Sequence, residues 1–242
     1  MPIPRYASLA TRVAREIRKQ LKSEYITGGK LPSEHEMAAQ FGVSRGTVRQ
    51  ALTILEREGV IFRRQGSGTF VNKYVLRIQA RAEIAYEFTE LLSIAGYEAG
   101  IHVLALEHCP VSNEIAELME LEPECVLLTV QKLFLADGQP AIYCIDYLPE
   151  HLICTEYEPS ELKQPIFEFL KQRCGRSINM NLTEIIPELA DEHLAYILDV
   201  QPGEPLLRFD EIGYEQSGQP ALFSRIYFKD QYIRFTMLRK RV

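Results

Sequence analysis

Apolar side chains recur every four residues from Leu9 through Val13 and Ile17 to Leu21, with Ala10 and Ala14 beside them. Arg12, Arg15, Arg18, Lys19 and Lys22 occupy the rest of the cylinder. This spacing predicts an amphipathic helix over about residues 5–22, broken by Gly28-Gly29. Leu31-Pro32 leads into a shorter helix. Ser33 caps it, Glu36 completes a capping box, Met37, Ala38 and Phe41 supply its apolar face, and Gly42 ends it in a tight turn. Ser44 caps a third helix, with Val48, Leu52 and Leu55 on one face and Gly59 at its end. Two short β segments, 60–63 and 69–72, then bracket Arg63-Arg64-Gln65-Gly66-Ser67-Gly68 as a hairpin.

From 73 to 82 the pattern weakens, and a connector is expected there. It is not rich in Gly or Ser, so it should be ordered and able to transmit strain. Beyond it, helical and extended signals alternate. Ile84, Phe88, Leu91, Leu92 and Ala95 predict a helix ending at Gly96. A strand is expected over 101–108, a Ser112-capped helix over 113–121, and strands over 126–136 and 141–148 joined by Asp137-Gly138. Then come a helix over 165–172, a strand over 178–186, and a helix from Asp191 to Leu198. A second hairpin turns at Ser217-Gly218 between 206–214 and 221–228, and a last strand covers 234–240. Hairpin-linked strands mixed with helices imply an α+β domain with a largely antiparallel sheet. The helix–hairpin unit at 115–148 recurs at 195–228, with Gly138-Gln139-Pro140 echoed by Gly218-Gln219-Pro220. Such a duplication predicts a pseudo-symmetric sheet with a cleft between its halves.

Charge sharpens this two-part picture. The 242 residues carry a net charge of −6, divided as +7 over residues 1–74 and −13 over 75–242. A basic head joined to an acidic body suits a polyanion-binding module with a regulatory partner. The expected domains are therefore 1–72 and 83–242, with the connector between them. Five cysteines (Cys109, Cys125, Cys144, Cys154 and Cys174) are scattered without metal-ligand spacing, which points to free thiols in a reducing compartment. No apolar run approaches the ~18 residues of a membrane span. A cytoplasmic protein is expected.

The third helix supplies the candidate chemistry. Arg45 and Arg49 lie four apart, off the apolar face, and Ser44 and Thr47 add hydroxyl donors in the same first turns. Such a helix fits the major groove, where arginine reads guanine and phosphates accept the remaining bonds. The glycine-rich hairpin suits a wing along the minor groove. The run LPSE…FGVSRGTVRQAL…L…EG…R…GSGTFV resembles the winged helix-turn-helix of the GntR family of bacterial transcription regulators. The resemblance implies DNA contacts from Glu34, His35, Ser44, Arg45, Thr47 and Arg49, and from Gln65, Gly66 and Ser67 at the wing tip. Many family members carry arginine where this chain has His35, which implies a weaker, pH-dependent contact there.

The body, with LADGQPAIYCIDYLP and SRIYF…YIRF, resembles the UTRA effector-binding domain, similar in fold to chorismate lyase. That implies the HutC subfamily, a ligand pocket in the sheet cleft and dimerisation through this domain. Members that bind amino-sugar phosphates carry two arginines, an acidic residue, a glutamate and a tyrosine where this chain has Lys132, Phe134, Cys144, Leu222 and Tyr227, so one cation and one phenol survive. Burying a phosphate without paired donors is costly. The implied effector is therefore less charged than a sugar phosphate, with at most a carboxylate for Lys132. The segment Glu87-Phe88-Thr89 matches the one whose backbone amides hold phosphate in those relatives. No nucleophile elbow, P-loop, HExxH or metal set is present in the sequence, so no enzyme, metal or cofactor is expected. The expected function is a homodimeric repressor, released from a palindromic operator by a small molecule. The alternative is a small-molecule enzyme or sensor whose first module binds protein, and nothing in the sequence separates repressor from activator.

Overall fold

The computed structural model describes residues 8–22 and 29–239. The expected helix start near Arg5, the break at Gly28 and the strand end at Lys240 lie outside them. The described residues fall into two compact units. One groups those up to Ile78 with Met237 and those after it, and the other runs from Gln79 to Thr236.

The first unit contains α1 (Leu9–Lys22), α2 (Glu34–Phe41), α3 (Arg45–Arg57), β1 (Ile61–Arg64), β2 (Gly68–Val71) and α4 (Lys73–Leu76). The expected capping box at Ser33 and Glu36 is formed, and Gly42 takes the left-handed conformation (φ 62°) that ends α2 sharply. Val13, Ile17 and Leu21 of α1 bury against Met37 of α2 and Val48, Leu52 and Leu55 of α3. Leu9, at the outer end of the α1 stripe, is instead 51% exposed. The connector differs from its expectation. Residues 73–76 are helical, and Val75 completes the first core. Leu238 packs on that core as well. It closes over Gly59 (φ 72°), where an added Cβ would lie 2.1 Å from the leucine side chain. An apolar residue from the chain's end thus fills a gap in the first core, so the segment from Met237 groups with the head and not with the body.

The second unit contains β3 (Ala80–Arg81), α5 (Phe88–Ala95), β4 (Ala99–Pro110), α6 (Asn113–Met119), β5 (Val126–Ala136), β6 (Gln139–Pro149), α7 (Ile166–Arg173), β7 (Ile178–Leu189), α8 (Glu192–Leu198), β8 (Pro205–Glu215), β9 (Pro220–Phe228) and β10 (Phe235–Thr236). Six strands form one sheet in the order β4-β5-β6-β9-β8-β7. Every neighbouring pair in it is antiparallel. The order reads as two three-stranded halves related by a pseudo-two-fold at the β6–β9 seam, with α6-β5-β6 echoed by α8-β8-β9. That matches the duplication in the sequence. Asp137 (φ 50°) and Gly138 (φ 82°) make the tight β5–β6 turn, both in the left-handed region that this turn type demands. The last strand is only two residues long and pairs in parallel with β3.

Strand parity decides what lies on each face of the sheet. Leu91 and Leu92 of α5 and Phe169 and Leu170 of α7 cover one face. Ile115 and Met119 of α6 and Leu194 and Leu198 of α8 cover the other.

Candidate functional site

In the head, the Ser44 side chain accepts a hydrogen bond from the Thr47 backbone N–H (3.1 Å), which fixes the start of α3. Its hydroxyl also meets the Thr47 hydroxyl at 2.9 Å. Arg45 and Arg49 project from the exposed side of this helix while Val48 and Leu52 lie in the core. Arg49 does not hang free. Its Nε and Nη2 donate to both carboxylate oxygens of Glu34, at 3.2, 3.2 and 2.9 Å. That fork lowers the Glu34 carboxyl below its ordinary range and raises the Arg49 guanidinium. The pairing joins the first turn of α2 to α3 and holds the guanidinium in one orientation. Glu34 sits here as the partner of an arginine, and His35 is exposed beside it.

The wing is built around Arg64, whose guanidinium lies 5.3 Å from the ring centroids of both Phe62 and Phe70. Gln65, Gly66 and Ser67 form its exposed tip, with Gly66 at φ 73°. Arg63 approaches Glu56 at 3.4 Å. Sequence reading missed Lys30, which bridges to Phe70 so that its side chain runs along Gly68. A cation just before the second helix gives no sequence signal that it joins the wing. Arg45, Arg49, Arg64 and Lys30 thus supply cationic groups from α3, the wing and the segment that pairs with it.

In the body, a polar row crosses an otherwise apolar sheet face. Asp146, Ser224, Glu211 and Thr183 are direct cross-strand partners on β6, β9, β8 and β7. Lys132 stands diagonally beside Asp146, fully buried, with Nζ 3.6 Å from the carboxylate. It also donates to the Gln164 carbonyl at 3.1 Å. The Ser224 hydroxyl donates to Asp146 at 2.7 Å, and the Cys144 thiol donates to the same oxygen at 3.3 Å. Burial pushes that thiol well up. Glu211 accepts from the Thr183 hydroxyl at 2.7 Å and from the Asn181 amide. Burial still raises its carboxyl.

Above this row lies a cavity of about 440 Å³, walled by Phe88, Phe209, Phe228 and Phe235 together with Glu211 and Asn181. A void of only about 20 Å³ lies on the Lys132–Asp146 side, sharing Phe88 and Glu211 with the cavity. The cleft is thus displaced from its expected place. The seam is filled by the Lys132–Asp146 pair, and the open space sits over the β7-β8-β9 half.

Of the residues expected to contact an effector, only Phe88 lines the larger cavity, while Lys132 and Phe134 line the small void. Cys144 lies fully buried beneath Asp146. Thr89 lines neither space. Tyr227 is on the opposite face, stacked on Tyr143 at 5.9 Å, because it differs by one position from Ile226 and Phe228 and strand parity turns it away. Nor does Lys132 have a charge to spare for an effector carboxylate, since Asp146 already takes it. Sequence reading missed Asp146, Asn181, Thr183, Glu211 and Ser224. Their signal was present, as ionisable or polar residues on the core-facing positions of apolar strands.

Glu87, just before α5, has its carboxyl pushed up to about 7, chiefly by burial, against the opposing pull of Lys132. The folded chain therefore holds this proton where the unfolded chain has released it. Stability should fall as pH rises from about 4.5 to about 7. Glu211 adds in the same direction. Urea midpoints across this window should decline with pH, and Glu87→Gln should reduce the slope without abolishing it. An unchanged slope would show that Glu87 is not the group responsible.

Residues 9–71 match the bacterial regulatory proteins of the gntR family, and residues 95–234 match the UTRA domain. The chain belongs to the GntR family. It is a DNA-binding transcription regulator with a UTRA effector domain. The repressor NagR of Bacillus subtilis is 28% identical over 233 residues, covering 96% of this chain and 93% of its own. The mannosyl-D-glycerate transport/metabolism system repressor MngR of Escherichia coli is 26% identical over 238 residues, covering 98% and 97%. The crystal structure of a possible transcriptional regulator, YydK of Bacillus subtilis, superposes with a TM-score of 0.78 at 23% identity, covering 97% of this chain and all of that one. That likeness extends to the fold of both units. Among the described residues, no helix is long and apolar enough to cross a membrane.

Proposed function

We propose that this GntR regulator is a cytoplasmic homodimeric repressor of the HutC type. Two heads bind the half-sites of a palindromic operator, and a small molecule in the body releases them. The observation that carries the reading is the Ser44-capped helix with its outward arginines, one held rigid by Glu34. Ser44, Thr47, Arg45 and Arg49 would engage the major groove, with Gln65, Gly66 and Ser67 along the minor groove. Glu34 would serve by orienting Arg49, and the exposed His35 would contact phosphate. The relatives NagR and MngR are named as repressors, which supports repression over activation.

The effector would occupy the phenylalanine-walled cavity, and it would be less charged than a sugar phosphate. Among the described residues, no Lys or Arg lines that cavity. A difference of only ~1–3 kcal/mol in effector affinity between DNA-bound and released states suffices for regulation. Gel-shift titration on DNA upstream of the chain's own coding region tests the head. Specific binding should weaken steeply with salt, with a log–log slope of about −0.9 per phosphate neutralised. A shallow slope, or no retarded duplex at low salt, would favour a protein-binding first module.

A further inference from the structure

We infer that the effector cavity is built for an organic cation, a ligand presenting an ammonium group. This rests on the reading that the cavity is the effector site, and it deepens that reading by naming the ligand's charge. Three observations carry it. First, the walls form one connected set of rings. Phe209, Phe228 and Phe235 have centroids 4.6 to 5.0 Å apart, and Phe88 meets Phe228 at 5.8 Å. Aromatic faces carry negative potential and attract a cation placed over them, ammonium groups above all.

Second, among the described residues the ionisable side chains on the cavity wall that can carry charge near neutral pH are carboxyls. Glu83 and Glu211 are its ionisable carboxylates, and Arg81 already pairs with Glu83 at 2.5 Å. Glu211 is therefore the carboxyl left without a cationic partner on the wall, oriented by Thr183 and Asn181. Third, the buried cation that lines the adjoining void is already engaged. Lys132 shares the small void with Phe88 and Glu211, but its ammonium is held by Asp146 and the Gln164 carbonyl. An anion entering here would meet the Glu211 carboxyl and, among the described residues, find no cation on the wall to pair with. A ligand ammonium would supply the partner that Glu211 lacks. It would also favour the charged form of a carboxyl that burial disfavours.

The test uses the full chain and pairs of probes matched in shape. Choline is compared with its uncharged carbon isostere 3,3-dimethyl-1-butanol, n-butylammonium with 1-butanol, and glucose 6-phosphate and inorganic phosphate form the anionic arm. Binding is read by calorimetry and by thermal shift. At least one ammonium probe should bind about tenfold or more tightly than its uncharged counterpart. Glu211→Gln, which keeps the hydrogen-bonding shape, should erase that preference, and Phe209→Leu should weaken it. Equal binding of the uncharged isosteres, preference for either phosphate, or no binding by any ammonium probe overturns the inference.

Release of operator DNA is measured in parallel and separates the two readings. Ammonium binding that depends on Glu211 but leaves operator affinity unchanged upholds the cation pocket and removes its role as the effector site. Phosphate binding that releases the operator does the reverse.

Discussion

Replacing Lys132 with methionine is expected to destabilise the effector domain by about 3–5 kcal/mol, the range for breaking a buried ion pair from one side. Lys132 and Asp146 are both buried, at 0% and 2% exposure. With the ammonium gone, Asp146 keeps the Ser224 hydroxyl and the Cys144 thiol as donors but loses its compensating charge. The cost comes from the stranded carboxylate more than from the lost attraction. Adding Asp146→Asn to Lys132→Met should therefore recover much of the loss, since the amide removes the charge and keeps the shape. Urea unfolding followed by two probes, one per domain, is the measurement, because a two-unit chain need not unfold in a single step. A loss below about 1 kcal/mol would mean that water reaches the pair. It would reopen Lys132 as a residue with charge available to a ligand.

The same residue shows where sequence reading succeeds and where it stops. Caps and turns were legible because their chemistry is local. Ser33 with Glu36, Ser44, Ser112, Asp191, Gly42 and Asp137-Gly138 each act within a few residues, and each is found in its expected role. The duplication was legible too, because repeated turn chemistry at 138–140 and 218–220 marks repeated hairpins. What a side chain faces across the sheet is not local. Lys132 reads as a lone cation in an apolar strand, and only the register shows that Asp146 on the next strand neutralises it. Tyr227 fails for a related reason. Matching it to a position in relatives ignores the parity that sends it to the α8 side. The cavity needed five separate segments to meet over one patch, including Phe235 from near the chain's end. Leu238 likewise follows a pattern that reads as body strand, yet it fills the head's core beside Gly59.

For the head, Arg49→Ala is expected to weaken operator binding roughly 10-fold to 100-fold, with specificity relaxed at one base pair of each half-site. The argument rests on preorganisation. Glu34 grips the guanidinium through three contacts, so an arginine that contacts DNA from this position would do so in a fixed orientation with little side-chain freedom left to lose. Arg45→Ala should behave differently. Arg45 lies exposed in the first turn of α3, where phosphate contacts are expected, so its loss should weaken binding to all sequences alike and flatten the salt slope by about one unit. Glu34→Gln separates orientation from charge. It removes a negative group beside the groove, which favours DNA, but it loosens the fork on Arg49. If orientation governs reading, non-specific affinity should rise while discrimination against mutated half-sites falls. Competitive gel shifts with wild-type and single-base-mutant half-sites measure both quantities together. Intact discrimination in Arg49→Ala would show that the fork to Glu34 serves only to pin α2 against α3.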